Sequence, residues 1–170
     1  MNNDLLRNII RFVILVLLQV VIFMDMIPDW KYVSIFIYPL VIILASFKYS
    51  NSFLLLIAFA MGLIIDVADN SPGVHAGALV LMAFSRPLIL SFFEPIGGYL
   101  LNKIPTVQNY GLVWFAKYAS LMMFVHLVTY FSLESFSFVY FVTIVSKTIG
   151  SFFISMIFIF IYQFIFVPKD

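Results

Sequence analysis

Residues 62–90, GLIIDVADNSPGVHAGALVLMAFSRPLIL, are decisive for the fold because they join two apolar runs through one short polar turn. The flanking runs have the composition of membrane-spanning helices, and Pro72-Gly73 between them is typical of a turn. The stretch also carries several of the few ionisable side chains of the chain: Asp66, Asp69, His75 and Arg86. It therefore predicts a helix–turn–helix unit that holds polar groups at membrane depth.

The composition of the whole chain predicts an integral membrane protein. Of its 170 residues, 64% are hydrophobic and 10% are charged, whereas a soluble domain has about 45–50% apolar and about 25% charged residues. The net charge of +1 indicates no basic surface of the kind that nucleic acid requires. The chain has no cysteine, which excludes disulfides, thiolate metal sites and a cysteine nucleophile.

The apolar runs predict an all-α fold with six transmembrane helices, each near the ~20 residues that a ~30 Å hydrocarbon core requires. Pro39 is expected to kink the second helix, and turn residues with interfacial aromatics fill the loop 25–32. The interval 94–110 is expected to lie along the membrane surface. We expect a single polytopic membrane domain, 1–170, with these spans: 8–24, 33–47, 53–67, 75–93, 112–132 and 138–166.

The distribution of Lys and Arg predicts that both termini are cytoplasmic. With that orientation most basic residues lie on or near the cytoplasmic side: Arg7, Arg11, Lys48, Lys103, Lys117 and Lys169. Only Lys31 falls clearly outside, and four acids collect there: Asp25, Asp29, Asp69 and Glu134. An even number of spans agrees with two termini on one side.

Asp66 is a candidate for function because a charge at the centre of a spanning helix costs about 2.5–3.5 kcal/mol to insert. It lies near the outer end of the third predicted helix, where it either meets water or has a buried partner. Lys147, about 13 Å into the sixth predicted helix, is the first candidate for that partner. Turn and capping chemistry explains Asp69, Asn70 and Ser71 more simply.

His75 opens the fourth predicted helix beside the small residues 76–78, which let helices approach closely. We interpret it as a polar tie between the third and fourth helices, and His126 as a hydrogen-bonding group between helices. A metal site is conceivable at this turn, although the spacing of its three ligands would not be diagnostic: Asp66, Asp69 and His75. We expect no metal, no cofactor and no catalytic residue.

Arg86 precedes Pro87, which lacks the N–H that would bond the carbonyl of Ala83 and is expected to bend the helix. Four roles for Arg86 are open: snorkelling to the inner headgroups, satisfying freed carbonyls, binding a lipid phosphate, or anchoring a partner helix. It lies about 16 Å along the helix from His75, toward the cytoplasmic half.

The order of residues across this stretch resembles the rod shape-determining protein MreD family, in its Bacteroidota-like form. A glycine and an aspartate four residues later, a turn, G-x-H-A and R-P-x-x-L carry the resemblance, here at Gly62, Asp66, Gly73, His75, Ala76, Arg86, Pro87 and Leu90. The stretches NDLLRNIIRFVILVLLQV (3–20) and IPTVQNYGLVWF (104–115) are also similar. The resemblance covers most of the chain, including its length and number of spans.

This resemblance implies a small inner-membrane protein of the bacterial cell-elongation machinery, which governs rod shape and peptidoglycan synthesis. The implied partners, besides membrane lipid, are the bitopic protein MreC and, through it, the cytoskeletal protein MreB, RodA and a class B penicillin-binding protein. It also implies a fold similar to the substrate-binding components of energy-coupling-factor (ECF) vitamin transporters, which have six helices.

Three classes of function are therefore open. A non-enzymatic scaffold of the wall-synthesis complex is favoured because the sequence carries no catalytic constellation, and 94–110 is its first candidate contact region. A vitamin-type binding subunit of a transporter would need a pocket of convergent polar groups near the outer surface, lined by Asp66, Asp69, His75, Glu134 and Lys147. An intramembrane enzyme has least support, because neither paired glutamates with histidines nor G-x-S-x-G is present.

Overall fold

The computed structural model describes residues 2–24, 33–101, 103–136 and 140–166, with side chains for all of these except 2–9 and 24. Regular structure in these ranges is helical. The helices are α1 (Asn2–Leu17), which continues as a π-helix (Leu18–Met24), α2 (Leu40–Ile43), α3 (Asn51–Asp69), α4 (Val74–Phe92), α5 (Val107–Tyr110), α6 (Leu112–Ser135) and α7 (Phe141–Ile165).

Four helices of the described part, α3, α4, α6 and α7, are long and apolar enough to cross a membrane. The third to sixth predicted spans are thereby confirmed as apolar helices of spanning length. The first predicted span falls on α1 and its π-helical continuation, of which Ile10–Phe23 is a shorter apolar helix. The predicted loop 25–32 and Lys169 lie outside the described residues.

The turn between α3 and α4 follows from residues that accept a left-handed backbone. Asn70 ends α3 with φ of 53°, and Gly73 precedes α4 with φ of 83°. Asparagine and glycine adopt this conformation at the lowest cost. At its other end α3 is capped by Ser50, whose side chain accepts a hydrogen bond from the N–H of Phe53 at 3.3 Å.

The long helices pack in the order α3, α4, α6, α7, each against the next. Gly62 allows α3 and α4 to pack closely, because a Cβ at this position would lie 2.6 Å from the backbone nitrogen of Ala76. Large apolar side chains on the other faces point outward, such as Leu56, Phe84 and Phe153. Exposed apolar faces of this kind are those expected of a bundle surrounded by lipid or by other helices.

The second predicted span, residues 33–47, is not a helix kinked at Pro39, and that prediction is wrong. Residues 33–39 are non-helical, and only the four residues of α2 form a helix. Nearly every side chain from 36 to 46 is buried, so this segment runs through the interior of the bundle. A non-helical backbone at membrane depth is tolerated only where surrounding protein satisfies its polar groups.

Two serines of α7 satisfy one side of this segment. The N–H of Ser34 donates to Ser151 Oγ and the N–H of Phe36 donates to Ser155 Oγ, both at 2.9 Å. Two residues of extended chain advance about 6.6 Å and one four-residue step of an α-helix about 6 Å. The spacing of the two serines therefore matches the repeat of an extended chain.

Gln19, on the π-helix, satisfies the opposite side of the segment. Its amide donates to the carbonyl of Ile35 and accepts from the N–H of Ile37, both at 2.9 Å. Backbone groups of successive residues in an extended chain point to opposite sides. Partners on α7 and on the π-helix therefore alternate along the segment. This alternation explains why Ser151, Ser155 and Gln19 are buried.

The described part of the interval 94–110 is irregular except for α5. Tyr99 donates from its hydroxyl to the carbonyl of Leu90 at 2.9 Å, and Trp114 donates from its indole to the carbonyl of Phe93 at 2.7 Å. Burial raises the pKa of Tyr99 to about 12, so its hydroxyl remains a donor. Tyr99 therefore ties the interval, and Trp114 ties the start of α6, to the end of α4.

Candidate functional site

Asp66 lies at the centre of a hydrogen-bonded junction between α3 and α4, and only 4% of its side chain is exposed. Its Oδ1 accepts from Ser71 Oγ at 2.7 Å and from the N–H of His75 at 2.9 Å, and its Oδ2 accepts from the N–H of Ala76 at 3.0 Å. The Nδ1 of His75 is also 3.0 Å from Oδ1. We call these four residues the Asp66 joint.

The Asp66 joint caps the N-terminus of α4. The N-cap of this helix is Gly73, which has no side chain to bond the free N–H groups of the first turn. Asp66 supplies a carboxylate from the neighbouring helix, and its negative charge also complements the helix dipole. Its backbone carbonyl accepts from the N–H groups of Asn70 and Ser71, so one residue both ends α3 and caps α4.

The predicted role of His75 as a polar tie between the third and fourth helices is therefore confirmed. Asp66 does not meet water at a helix end, because it has buried partners. The joint also explains Gly62, since a side chain at that position would push Ala76 away from the carboxylate. Gly73 allows the chain to turn into α4 with positive φ.

Ser71, His75 and Asp66 are the residue types of a hydrolytic triad, but their arrangement differs from one. In a triad the imidazole bridges the other two, with one ring nitrogen on the carboxylate and the other on the nucleophile. Here Ser71 Oγ donates to Asp66 and lies 3.0 Å from Nδ1, the same nitrogen that contacts Asp66. The three side chains therefore satisfy one another and form no relay.

The metal site considered for this turn is also poorly formed. Asp69 Oδ2 lies 3.9 Å from His75 Nδ1, and the side chain of Asp69 is 36% exposed. Over the described ranges, no group of three or more His, Asp or Glu side chains is arranged to hold a metal ion. Asp66 already uses both oxygens as acceptors for protein donors.

The expected ion pair between Asp66 and Lys147 is wrong. Lys147 Nζ instead lies 2.8 Å from Glu134 Oε2, so this pair joins α7 to the end of α6. Asp66 is bonded instead to Ser71 in the turn and to His75 and Ala76 at the start of α4. The outer polar pocket expected for a vitamin-binding subunit is thus divided, because its residues form two separate bonded groups.

Arg86 occupies a second buried site, toward the other end of α4, with 3% of its side chain exposed. Its Nε donates to the hydroxyl of Tyr118 at 3.0 Å, and its Nη2 donates to the carbonyl of Ala45. Tyr118 in turn donates to the carbonyl of Ile43 at 3.1 Å. We call this group the Arg86 clamp.

The Arg86 clamp satisfies carbonyls that the short helix α2 leaves free at its C-terminal end. Arg11 acts in the same way, since its Nη1 lies 3.3 Å from the carbonyl of Leu44. Arg86 therefore does not snorkel, and it bonds the carbonyl of Ala45 in a neighbouring segment. Helix α4 continues through Pro87 to Phe92.

His126 hydrogen-bonds the hydroxyl of Tyr38 through Nε2 at 2.9 Å. The expected bond between helices is thus a bond from α6 to the buried non-helical segment. Phe36, in the same segment, packs its ring 4.7 Å from that of Tyr130 and 5.8 Å from that of His126, measured between centroids. Aromatic contacts of this kind fix the segment laterally.

Sequence reasoning missed the side chains that support the non-helical segment: Gln19, Tyr118, Ser151 and Ser155. A weak signal was available, because Gln19 is a lone amide in an apolar run and the two serines are four residues apart on one helical face. Their partners are backbone groups, which have no signature in the sequence. The pattern therefore indicated buried polar residues but not what they bind.

Comparison of the chain with protein-family models, with curated proteins and with solved structures gave no match.

Proposed function

We propose that the chain is a non-enzymatic membrane scaffold of the cell-elongation machinery, similar in role to the MreD family. The observation that carries this proposal is that the residues resembling that family form structural contacts between helices. Gly62, Asp66, His75 and Ala76 are all engaged in the junction of α3 and α4, and Arg86 holds the end of α2. These residues stabilise the fold, as expected of a scaffold protein that acts by offering a surface to its partners.

The proposed surface consists of the apolar faces that the bundle leaves exposed. Phe153, Ile157 and Ile161 lie on α7 at helical spacing, and each has at least 46% of its side chain exposed. Such a face can contact lipid or a single spanning helix of a bitopic partner with equal ease. An MreC-like protein, which has one such helix, is the proposed partner, with MreB, RodA and a class B penicillin-binding protein reached through it.

We further propose six membrane crossings, with both termini on the cytoplasmic side of a bacterial inner membrane. The crossings are α1 with its π-helix, the buried segment 33–46, α3, α4, α6 and α7. Replacing the second helix by a non-helical crossing leaves the number even. Arg11, Lys48 and Lys103 then lie toward one face of the bundle, as the positive-inside rule requires.

Affinity purification of the tagged chain from its host in mild detergent tests this proposal. We expect a bitopic MreC-like protein to co-purify in a constant ratio to the chain, and depletion of the chain to abolish rod shape. Recovery of a bound vitamin without a bitopic partner would favour the transporter alternative and would overturn the scaffold.

The Asp66→Ala variant makes this experiment sharper. Because Asp66 holds the fold in our interpretation, the variant should lower the amount of chain in the membrane but leave the amount of partner per chain unchanged. The exposed change Ile157→Arg on α7 should act in the opposite way, keeping the chain but losing the partner. Loss of partner per chain with Asp66→Ala alone would place the contact at the Asp66 joint instead.

A further inference from the structure

A cleft of about 240 Å³ opens at the end of α4 that is remote from the Asp66 joint. It lies where the buried segment leaves the bundle, where α3 begins and where α4 ends. Its lining combines one guanidinium, one carboxylate, small polar groups and aromatic rings: Arg86, Glu94, Asn51, Ser91, Phe47 and Tyr99. The volume is that of about eight water molecules at ~30 Å³ each, which is enough for a phosphoethanolamine group.

Arg86 is the buried group that this cleft leaves incompletely paired. Its Nε and Nη2 are bonded within the Arg86 clamp, whereas Nη1 has no hydrogen-bond partner in the described part of the chain. No described carboxylate forms an ion pair with this guanidinium. A buried cation without a counter-ion is costly, so an anion entering the cleft would be stabilised there.

A phosphate is the anion that best suits a guanidinium, because its oxygens accept two parallel hydrogen bonds. Phe47 limits the site on one side, with the Arg86 Cζ 5.7 Å from its ring centroid. The ring of Tyr99 stacks on Phe47 with centroids 4.6 Å apart. These rings hold the guanidinium in place and exclude water from one side of it.

Glu94 distinguishes this cleft from a simple anion site. A carboxylate in the same lining repels a ligand that is only negative but attracts one that also carries an ammonium group. The carboxylate of Glu94 is the group that attracts the amine, because the ring of Tyr49 already has Lys48 Nζ 5.6 Å from its centroid and the ring of Tyr99 is stacked on that of Phe47. The lining therefore matches a zwitterion with a phosphate and an amine.

The position of the cleft favours a lipid over a soluble molecule. It lies at the end of α4 next to Leu88 and Phe92, whose side chains are 61% and 68% exposed on the outer face of the bundle. An acyl chain can follow these side chains while its headgroup enters the cleft. Lys48 and Lys103 belong to the same end, where the inner leaflet is expected.

We propose that this cleft binds the headgroup of an amine-bearing phospholipid, with the phosphate on Arg86 and the ammonium group at Glu94. This site is independent of the scaffold function, since it requires no protein partner.

Native mass spectrometry of the purified full chain with added phosphatidylethanolamine or phosphatidylglycerol tests the proposal. Wild type should retain one phosphatidylethanolamine and should bind phosphatidylglycerol more weakly. Ser91→Phe, which fills the cleft from an exposed position, should reduce phosphatidylethanolamine binding by roughly tenfold or more, the effect of losing one charge-assisted contact. Ser146→Phe is the matched control, because Ser146 is an exposed helical serine with the same kind of bond to its own helix, on α7.

Three further arms test the headgroup chemistry, the source of the ligand and the phosphate contact. Glu94→Gln should remove the preference for phosphatidylethanolamine over phosphatidylglycerol. Soluble glycerophosphoethanolamine should fail to displace the lipid; displacement would identify a soluble source for the same headgroup chemistry. Arg86→Lys tests the phosphate contact. If Arg86→Lys does not fold, Ser91→Phe still tests whether the cleft binds the lipid. Equal retention of phosphatidylethanolamine by wild type, Ser91→Phe and Ser146→Phe would overturn the proposal.

Discussion

Replacing Asp66 by alanine should destabilise the chain more than any other single change at the turn between α3 and α4. The substitution removes the acceptor from the buried N–H groups of His75 and Ala76. Each unsatisfied group costs about 1–3 kcal/mol, and loss of the charge at a helix N-terminus adds up to ~2 kcal/mol. The sum is about 2–8 kcal/mol, a large part of a typical stability of ~5–15 kcal/mol.

Circular dichroism at helical wavelengths, followed during heating in detergent, measures this loss. At roughly 2–4 °C per kcal/mol for a chain of this size, Asp66→Ala should lower Tm by roughly 4–30 °C. Asp66→Asn keeps one oxygen acceptor but loses the charge, so about half of the effect is expected. Asp69→Ala is the matched control, because Asp69 ends the same helix with 36% exposure, and it should change stability by less than about 1 kcal/mol.

The ranking of these variants is the decisive result. If Asp66→Asn melts at the temperature of wild type, the carboxylate charge is not needed to cap α4. If Asp69→Ala and Asp66→Ala are equally destabilised, any negative charge near the turn would serve. The specific geometry of the Asp66 joint would then be refuted.

Three further variants test other contacts between the helices. Gly62→Ala should destabilise the chain because its Cβ would overlap the backbone of Ala76, whereas at Gly77 the nearest obstacle is a flexible leucine methyl at 2.9 Å, so Gly77→Ala should be much milder in the same melting assay. Exchanging the charges of Glu134 and Lys147 should change the free energy of unfolding by no more than about 1 kcal/mol, since exposed pairs contribute ~0–1 kcal/mol. A large loss in the exchange variant, or equal melting of the two glycine variants, would contradict these assignments.

Hydropathy predicted the long helices well because lipid imposes a simple rule on them. A run of about 20 apolar residues satisfies its own backbone only as a helix, and α3, α4, α6 and α7 obey it. The turn at 70–73 was equally visible, since Asn70, Pro72 and Gly73 have strong local preferences. These features depend on neighbours in sequence.

The segment 33–46 escaped prediction because its conformation depends on residues far along the chain. Its apolar composition is that of a spanning helix, but Ser151 and Ser155 hold it non-helical from more than 100 positions away. The partner of Asp66 was missed for a different reason. A charged partner was sought on another helix, whereas the carboxylate binds backbone N–H groups of His75 and Ala76.

Amide hydrogen exchange at Ser34 and Phe36, resolved by NMR, tests most directly whether interior polar side chains hold this non-helical segment. In wild type both amides should be protected, because each donates to a buried serine hydroxyl. In the double variant Ser151→Ala/Ser155→Ala, exchange at these two amides should accelerate by roughly tenfold or more, and Ser146→Ala should change neither. Unchanged protection in the double variant would mean that the segment bonds to itself as a helix, and it would contradict this assignment of the interior.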